Sequence, residues 1–314
     1  MSMSLDDFAQ YVKKEIEQLP IAEGCEVTIH KVPKNNAIWT GITIHPEGGS
    51  ISPTVYLDDY YSGYQTGKIS ARDAVMEIEK KYKEYQLGPE VSVKDITDVI
   101  ADFEKVKFRI YPRVIATEGN EAFLQNAVSR QFLDMSVTYH IDIADLFEEK
   151  GSASVTISKS LMQHYGVDED QLFRLAIINQ REKGMDDLGM VEVLKSIGYP
   201  AVMLPDIPPE EDPMHIVTTP DRLYGASFLL DPESLDKVAE GFGEGFMIIP
   251  SSIHELIVIP ESKVQMPIDE LFVMVKEVNA NEVKPDEVLT DSVYHYDIQT
   301  KEVTVAEDKD LDLD

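Results

Sequence analysis

The stretch GEGFMIIPSSIHELIVIP, residues 243–260, sets two apolar runs, FMII and LIVI, on either side of a proline, two serines, a histidine and a glutamate. Each run is strand-sized and far short of the roughly 18–20 residues a membrane helix needs. In the second run His254, Leu256 and Val258 share one face, and Ile253, Glu255, Ile257 and Ile259 share the other. The stretch reads as a β-hairpin. Pro250 ends the first strand, Ser251 and Ser252 make the turn, and the return strand begins near Ile253. The serine hydroxyls then bind turn backbone, and His254 packs at the corner.

The pattern around this hairpin is similar. SLDDFAQYVKKEIEQLP (4–20) reads as a helix capped by Ser4, with acids in its first turn and Leu5, Phe8, Val12, Ile16 and Leu19 on one face. CEVTIHKV (25–32) and AIWTGITIH (37–45) alternate as strands. SARDAVMEIEKKYKEYQLG (70–88) and SVKDITDVIADFEKV (92–106) are helical. VKFRIYPRVI (106–115), QFLDMSVTYHIDI (131–143) and ASVTISKS (153–160) read as strands. DEDQLFRLAIINQREKG (168–184) and DDLGMVEVLKSIGYP (186–200) read as helices. LPDIPPEEDP (204–213) is an exposed, extended loop by its four prolines. Then come strands MHIVTT (214–219) and YGASFLLD (224–231), helix PESLDKVAEGF (232–242), the hairpin, helix PIDELFVMVKEVN (267–279), and strands SVYHYDI (292–298) and EVTVA (302–306). Strands arrive in adjacent pairs with helices between the pairs. This predicts an α+β fold with mixed, mainly antiparallel sheets. The Gly88-Pro89 pair suggests a boundary: a small N-terminal α/β unit over 1–90, a larger α+β unit over 91–306, and a frayed acidic tail over 307–314.

The chain of 314 residues carries 58 acidic against 28 basic residues, a net charge of −30. Such a surface repels nucleic-acid phosphates and anionic membranes, so neither is expected as a direct partner. One cysteine, Cys25, allows no internal disulfide and no multi-cysteine metal site. The first residues have no charged-then-apolar signal layout, and a cytoplasmic location is expected.

Complete catalytic motifs fail on spacing. His254 has Val258, not histidine, four residues on, so no zincin helix is present. Ser251 and Ser252 lack the flanking glycines of a hydrolase elbow. Gly63 and Gly67 stand one residue too close for a phosphate loop, and Ile69 follows Lys68 where serine or threonine would meet magnesium. His45 and Glu47 match half of a zinc deaminase signature whose other half needs two cysteines. His140 with Asp142, or His295 with Asp297, supplies two metal ligands, too few for a site. No cofactor and no metal are expected.

Two constellations remain. Ser251 or Ser252 as nucleophile and His254 as base, oriented by Glu255 or by a distant acid, would make a hydrolase site. Neighbouring strand residues face opposite ways, however, so Glu255 is a poor orienter for His254. The other is VYLDDYYSGYQTG (55–67), where Tyr56, Tyr60, Tyr61 and Tyr64 crowd Asp58 and Asp59 in the manner of binding surfaces. If these residues are structural, Tyr56 and Tyr60 bury against the next helix and the others are solvated. Arg113, inside an apolar run, needs a partner if buried, and a structural salt bridge is expected over an anion site.

IYPRVIATEGNEAFLQNAVSRQFLDMSVTYHI (110–141), YGASFLLDPESLDKVAEGFGEGFMIIPSSIHELIVIP (224–260) and NEVKPDEVLTDSVYHYDI (281–298) resemble DUF5688, an uncharacterised family of Gram-positive gut anaerobes. Its members look like cargo of mobile elements. The resemblance implies no activity, cofactor or catalytic residue. It marks the segments carrying Arg113, Asn120, Ser251, Ser252, His254 and Glu255 as the first to test. The leading expectation is a non-enzymatic binding or accessory protein that acts through a protein partner. The alternatives are a hydrolase-type enzyme at the PSSIHE corner and an acidic DNA mimic that inhibits a DNA-handling protein.

Overall fold

The computed structural model describes residues 3–46, 54–87, 93–146, 153–208 and 211–307. The fold is α+β, and the β-pairings are antiparallel. The chain forms two compact units: Met1–Asp102 with Ile143–Ala153, and Phe103–Asp142 with Ser154–Asp314. The first division falls at 102/103 rather than 90/91. The Gly88-Pro89 pair and tail residues 308–314 lie outside the described residues.

The first unit holds α1 (Leu5–Ile16), β1 (Cys25–Lys34), β2 (Ala37–Pro46), β3 (Thr54–Tyr56), α2 (Asp58–Gln65), α3 (Ala71–Leu87) and α4 (Val93–Ala101). Ser4 caps α1 by accepting the Asp7 amide at 3.1 Å. The sheet order is β1-β2-β3, with Asn36 left-handed (φ 55°) in the two-residue β1–β2 turn. Phe8, Val12 and Ile16 of α1, Val27, Ile42 and Val55 of the sheet, and Ala74, Ile78 and Tyr82 of α3 form one core. Tyr82 is buried to its tip. Its hydroxyl donates to the Ile42 carbonyl at 2.7 Å and accepts the Ile44 amide at 3.1 Å, so ladder groups of β2 are satisfied without a further strand residue.

The second unit continues with α5 (Phe103–Val106), β4 (Ile110–Ala116), α6 (Glu121–Leu124), β5 (Ser129–Phe132), β6 (Met135–Asp142), β7 (Ser154–Thr156), α7 (Lys159–Tyr165) and α8 (Glu169–Lys183). It ends with β8 (Asp186–Gly189), α9 (Met190–Ser196), β9 (His215–Thr218), α10 (Pro232–Phe242), β10 (Phe246–Ser252), β11 (Glu255–Pro260), α11 (Ile268–Asn281), β12 (Tyr294–Asp297) and β13 (Glu302–Val305). In the smaller sheet β6 is central, with β4 on one side and β5 and β7 on the other. The larger has the order β13-β12-β10-β11-β9-β8. Met247, Ile249 and Ile259 of this sheet bury against Ile268, Leu271 and Val275 of α11.

The structure corrects four elements of the sequence reading. YGASFLLD is no strand: Gly225–Leu230 form a 3-10 helix in which every residue is buried, so no periodicity marks it. QFLDMSVTYHIDI holds a hairpin, turning at Leu133 with φ 51°. DDLGMVEVLKSIGYP begins as β8 before α9, and SVKDITDVIADFEKV breaks between α4 and α5 at Asp102. Among the described residues no helix is long and apolar enough to cross a membrane.

Candidate functional site

The PSSIHE corner is a hairpin, displaced from its expected position. β10 runs through Ser252, the turn is Ile253–His254, and β11 starts at Glu255. The register shifts between Pro250 and Ser252, so Ser251 sits in a bulge. Neither turn residue has positive φ, and the bulge takes up the twist mismatch that a primed turn would otherwise remove. Pro250 lies past Ile248, the last residue of β10 that pairs with β12, where the strand has a free edge for a residue lacking an N–H.

Both serine hydroxyls and the imidazole Nδ1 have partners other than one another. Ser252 Oγ accepts the His254 amide at 3.0 Å, and Ser251 Oγ donates to Glu255 Oε1 at 3.3 Å. The imidazole accepts the Tyr224 amide on Nδ1 at 3.1 Å. Neither serine hydroxyl reaches the ring, so the Ser–His pairing of a hydrolase is not assembled in this structure. The carbonyl of His254 accepts the Gly225 amide and the Thr218 hydroxyl, both at 2.8 Å, and the Glu287 carbonyl takes the Ile253 amide at 2.9 Å.

The corner is pinned by an approach that only glycine permits. A Cβ on Gly225 would stand 2.6 Å from both the His254 carbonyl oxygen and Thr218 Cα. Tyr224, just before it, is left-handed at φ 60°, an uncommon state for a bulky residue. This conformation sets the Tyr224 ring 5.0 Å from the imidazole, centroid to centroid. The guanidinium of Arg113, from β4, lies 3.6 Å over the same ring. Among the described residues Arg113 makes no salt bridge, contrary to expectation. Its Nη2 donates to Ser154 Oγ at 3.3 Å, while Nε is enclosed and has no partner. Burial pulls the Arg113 pKa down to about 10, against the opposing effect of Tyr224. Burial also holds the His254 pKa below its ordinary value; the Glu287 carboxylate opposes this and the Arg113 charge adds to it.

The tyrosine-rich stretch divides into two sets. Tyr61 and Tyr64 turn inward to α1, with ring centroids 5.5 and 5.4 Å from Phe8. Tyr61 donates its hydroxyl to the Met3 carbonyl at 3.0 Å. Asp58 accepts the Thr40 amide at 2.7 Å, which stops the β2–β3 ladder. These three residues hold the fold. Tyr60 is buried, as the structural reading expected, but Tyr56 is half-buried and meets Trp39 edge-to-face at 5.1 Å. Gly41, with no side chain, stands directly opposite Tyr56 in the ladder, and the side chains of Thr54 and His30 close over it.

Tyr56, Tyr60 and Asp59 line a cleft of about 570 Å³ with Trp39, Thr54, Lys68 and Lys81 among its walls. The cleft lies beside β3, the outer strand of its sheet. The Leu57 amide donates to the Thr40 carbonyl at 2.9 Å, which fixes the alternation of the ladder. Val55 therefore points its backbone groups at β2, and Thr54 and Tyr56 point theirs at the outer edge, which no strand among the described residues covers. Sequence reasoning missed Trp39, Lys68 and Lys81 as cleft residues, and Tyr224 beside the hairpin. The chain's single tryptophan in an alternating strand was the available signal for the first.

Asn120 is buried, and its side chain donates to the Ala116 carbonyl at 3.0 Å, fixing the chain after β4. His140 contacts the hydroxyls of Thr138 (3.0 Å) and Thr156 (3.4 Å). His295 meets Glu261 at 2.6 Å, while Asp297 accepts the amides of Gln299 and Thr300. Neither same-face His–Asp pair is joined by these contacts.

An α+β chain with these two sites is the class that fold and geometry define. It belongs to DUF5688, a family of unknown function, whose sequence profile matches residues 5–298. Comparison with curated proteins and with solved structures found no match.

Proposed function

We propose that this is a binding protein whose first unit takes an extended segment of a partner protein along β3. The observation that carries the proposal is the open edge of β3 beside an aromatic cleft. An added strand pairs with the backbone of Thr54 and Tyr56, and its side chains meet Trp39 and Tyr56. A cleft of this volume is of the usual size for a binding pocket. Lys68 and Lys81 face Asp59 and Glu77 around it, giving both signs of charge for orienting the segment.

The test is capture from a native lysate, read by mass spectrometry at low and high salt, with wild type beside Tyr56→Pro. Proline removes one edge-facing N–H and the ring, yet takes no hydrogen bond from the β2 ladder. A specific partner reduced at least about tenfold by the substitution is expected. A partner held equally by Tyr56→Pro, or no specific partner at either salt, overturns the proposal.

A further inference from the structure

Among the described residues of the second unit, one arginine lacks the carboxylate partner that two others possess. Arg130 pairs with Glu169 and Asp170, and Arg181 with Asp231 and Glu233. Among the described residues Arg113 pairs with no carboxylate. Its side chain is half-buried, and its enclosed Nε has no acceptor. Its hydrogen-bond partners, Ser154 Oγ and the Tyr224 side chain, are neutral, so they do not offset the cost of desolvating the guanidinium as a carboxylate would.

A second donor stands at the same ring. Because Nδ1 of His254 accepts the Tyr224 amide, the neutral imidazole carries its proton on Nε2. Among the described residues no acceptor takes that proton. Burial and the Arg113 charge keep the ring neutral, so the tautomer persists at physiological pH. The charged groups acting on this ring are Arg113, Glu287, Asp286 and Lys284, and Glu287 is itself paired with Lys284 at 2.9 Å. The Tyr224 ring, which lies near both the guanidinium and the imidazole, is held by its residue's left-handed backbone, a strained state of the kind that persists at ligand clamps.

We propose that Arg113 and His254 form a site for a small oxyanion, a carboxylate or a phosphate, held beside the ring of Tyr224. The guanidinium supplies charge and a planar fork suited to either group. The imidazole supplies one neutral N–H. The exposed Ser154 hydroxyl, already in contact with Nη2, marks the side from which a solute reaches the fork.

The probes are sodium phosphate and sodium acetate, titrated into the full chain at constant ionic strength with chloride as control. The readout is the Arg113 Nε–H resonance in nitrogen-15 spectra, together with the melting temperature. A saturable shift with phosphate, acetate or both, absent with chloride, is expected. The responding anion identifies the oxyanion class. Arg113→Lys, which keeps the charge but loses the fork, is expected to weaken binding at least about tenfold, and His254→Asn to weaken it less. The wild-type resonance decides the matter should a variant fold poorly. No saturable shift with either anion, or equal affinity in both folded variants, overturns the proposal.

Discussion

Two stretches crowd chemically capable residues into a few positions, and the structure uses them in opposite ways. At the β10–β11 corner both serine hydroxyls, the His254 amide and carbonyl and the ring Nδ1 all have protein partners. At β3 the backbone of Thr54 and Tyr56 faces an open edge, and the rings of Tyr56 and Trp39 border a cleft. Residue type is thus a poor guide to availability. What decides is whether the backbone around a side chain has already claimed it. The hairpin has unmet turn groups of its own and takes the serines to satisfy them. An edge strand leaves every second residue's backbone unclaimed by construction.

Three substitutions sharpen this contrast, in descending order of effect. Gly225→Ala forces a methyl against backbone on two sides and is expected to cost about 3 kcal/mol or more in denaturant unfolding. A change under about 1 kcal/mol would show that the corner yields and is not pinned. Ser252→Ala removes the acceptor for the His254 amide and is expected to cost about 1 kcal/mol. A serine kept only for chemistry would give no loss, so that result would break the comparison.

The smallest effect is a pH slope. His254 has its folded pKa below the ordinary 6.5, so above that value both folded and unfolded chains are neutral at this position. Below it the unfolded chain takes up the proton first, and stability falls as pH drops. His254→Asn is expected to remove that share of the slope between about pH 7 and about pH 5. His215, hydrogen-bonded to Asp187, has its pKa raised and contributes the opposite sign: its stabilisation is full below 6.5 and is lost as pH rises through the folded value. The comparison is therefore between variant and wild type at each pH. A slope unchanged by the substitution would mean that His254 protonates as easily in the fold as out of it.

Much of the fold was legible. Ser4 and the alternation in β1 and β2 each mark their element through local chemistry. Where the reading failed, local chemistry was silent. Gly225–Leu230 is buried all round, which erases any period. The β5–β6 turn uses Leu133 in a left-handed state, where sequence rules look for glycine or asparagine. The hairpin corner was recognised, but its turn lay two residues later because a bulge at Ser251 cannot be read from residue types. The cleft was half legible. Tyr56, Tyr60 and Asp59 were marked by their crowding, yet Lys68 and Lys81 reach it only through the fold of α2 and α3. Arg113 was singled out as a residue that needs a partner if buried, and a salt bridge was expected for it. The missing carboxylate is a tertiary fact, since it depends on what β4 is placed beside.

The edge-to-face contact of Trp39 with Tyr56 has an optical consequence. The chain has one tryptophan, and it stands in the wall of the cleft. Light absorbed at the red end of the protein's near-ultraviolet band therefore excites a single indole, and its emission colour and polarisation report on that wall alone. The molecule comes with its own dye at the place where a partner is proposed to bind.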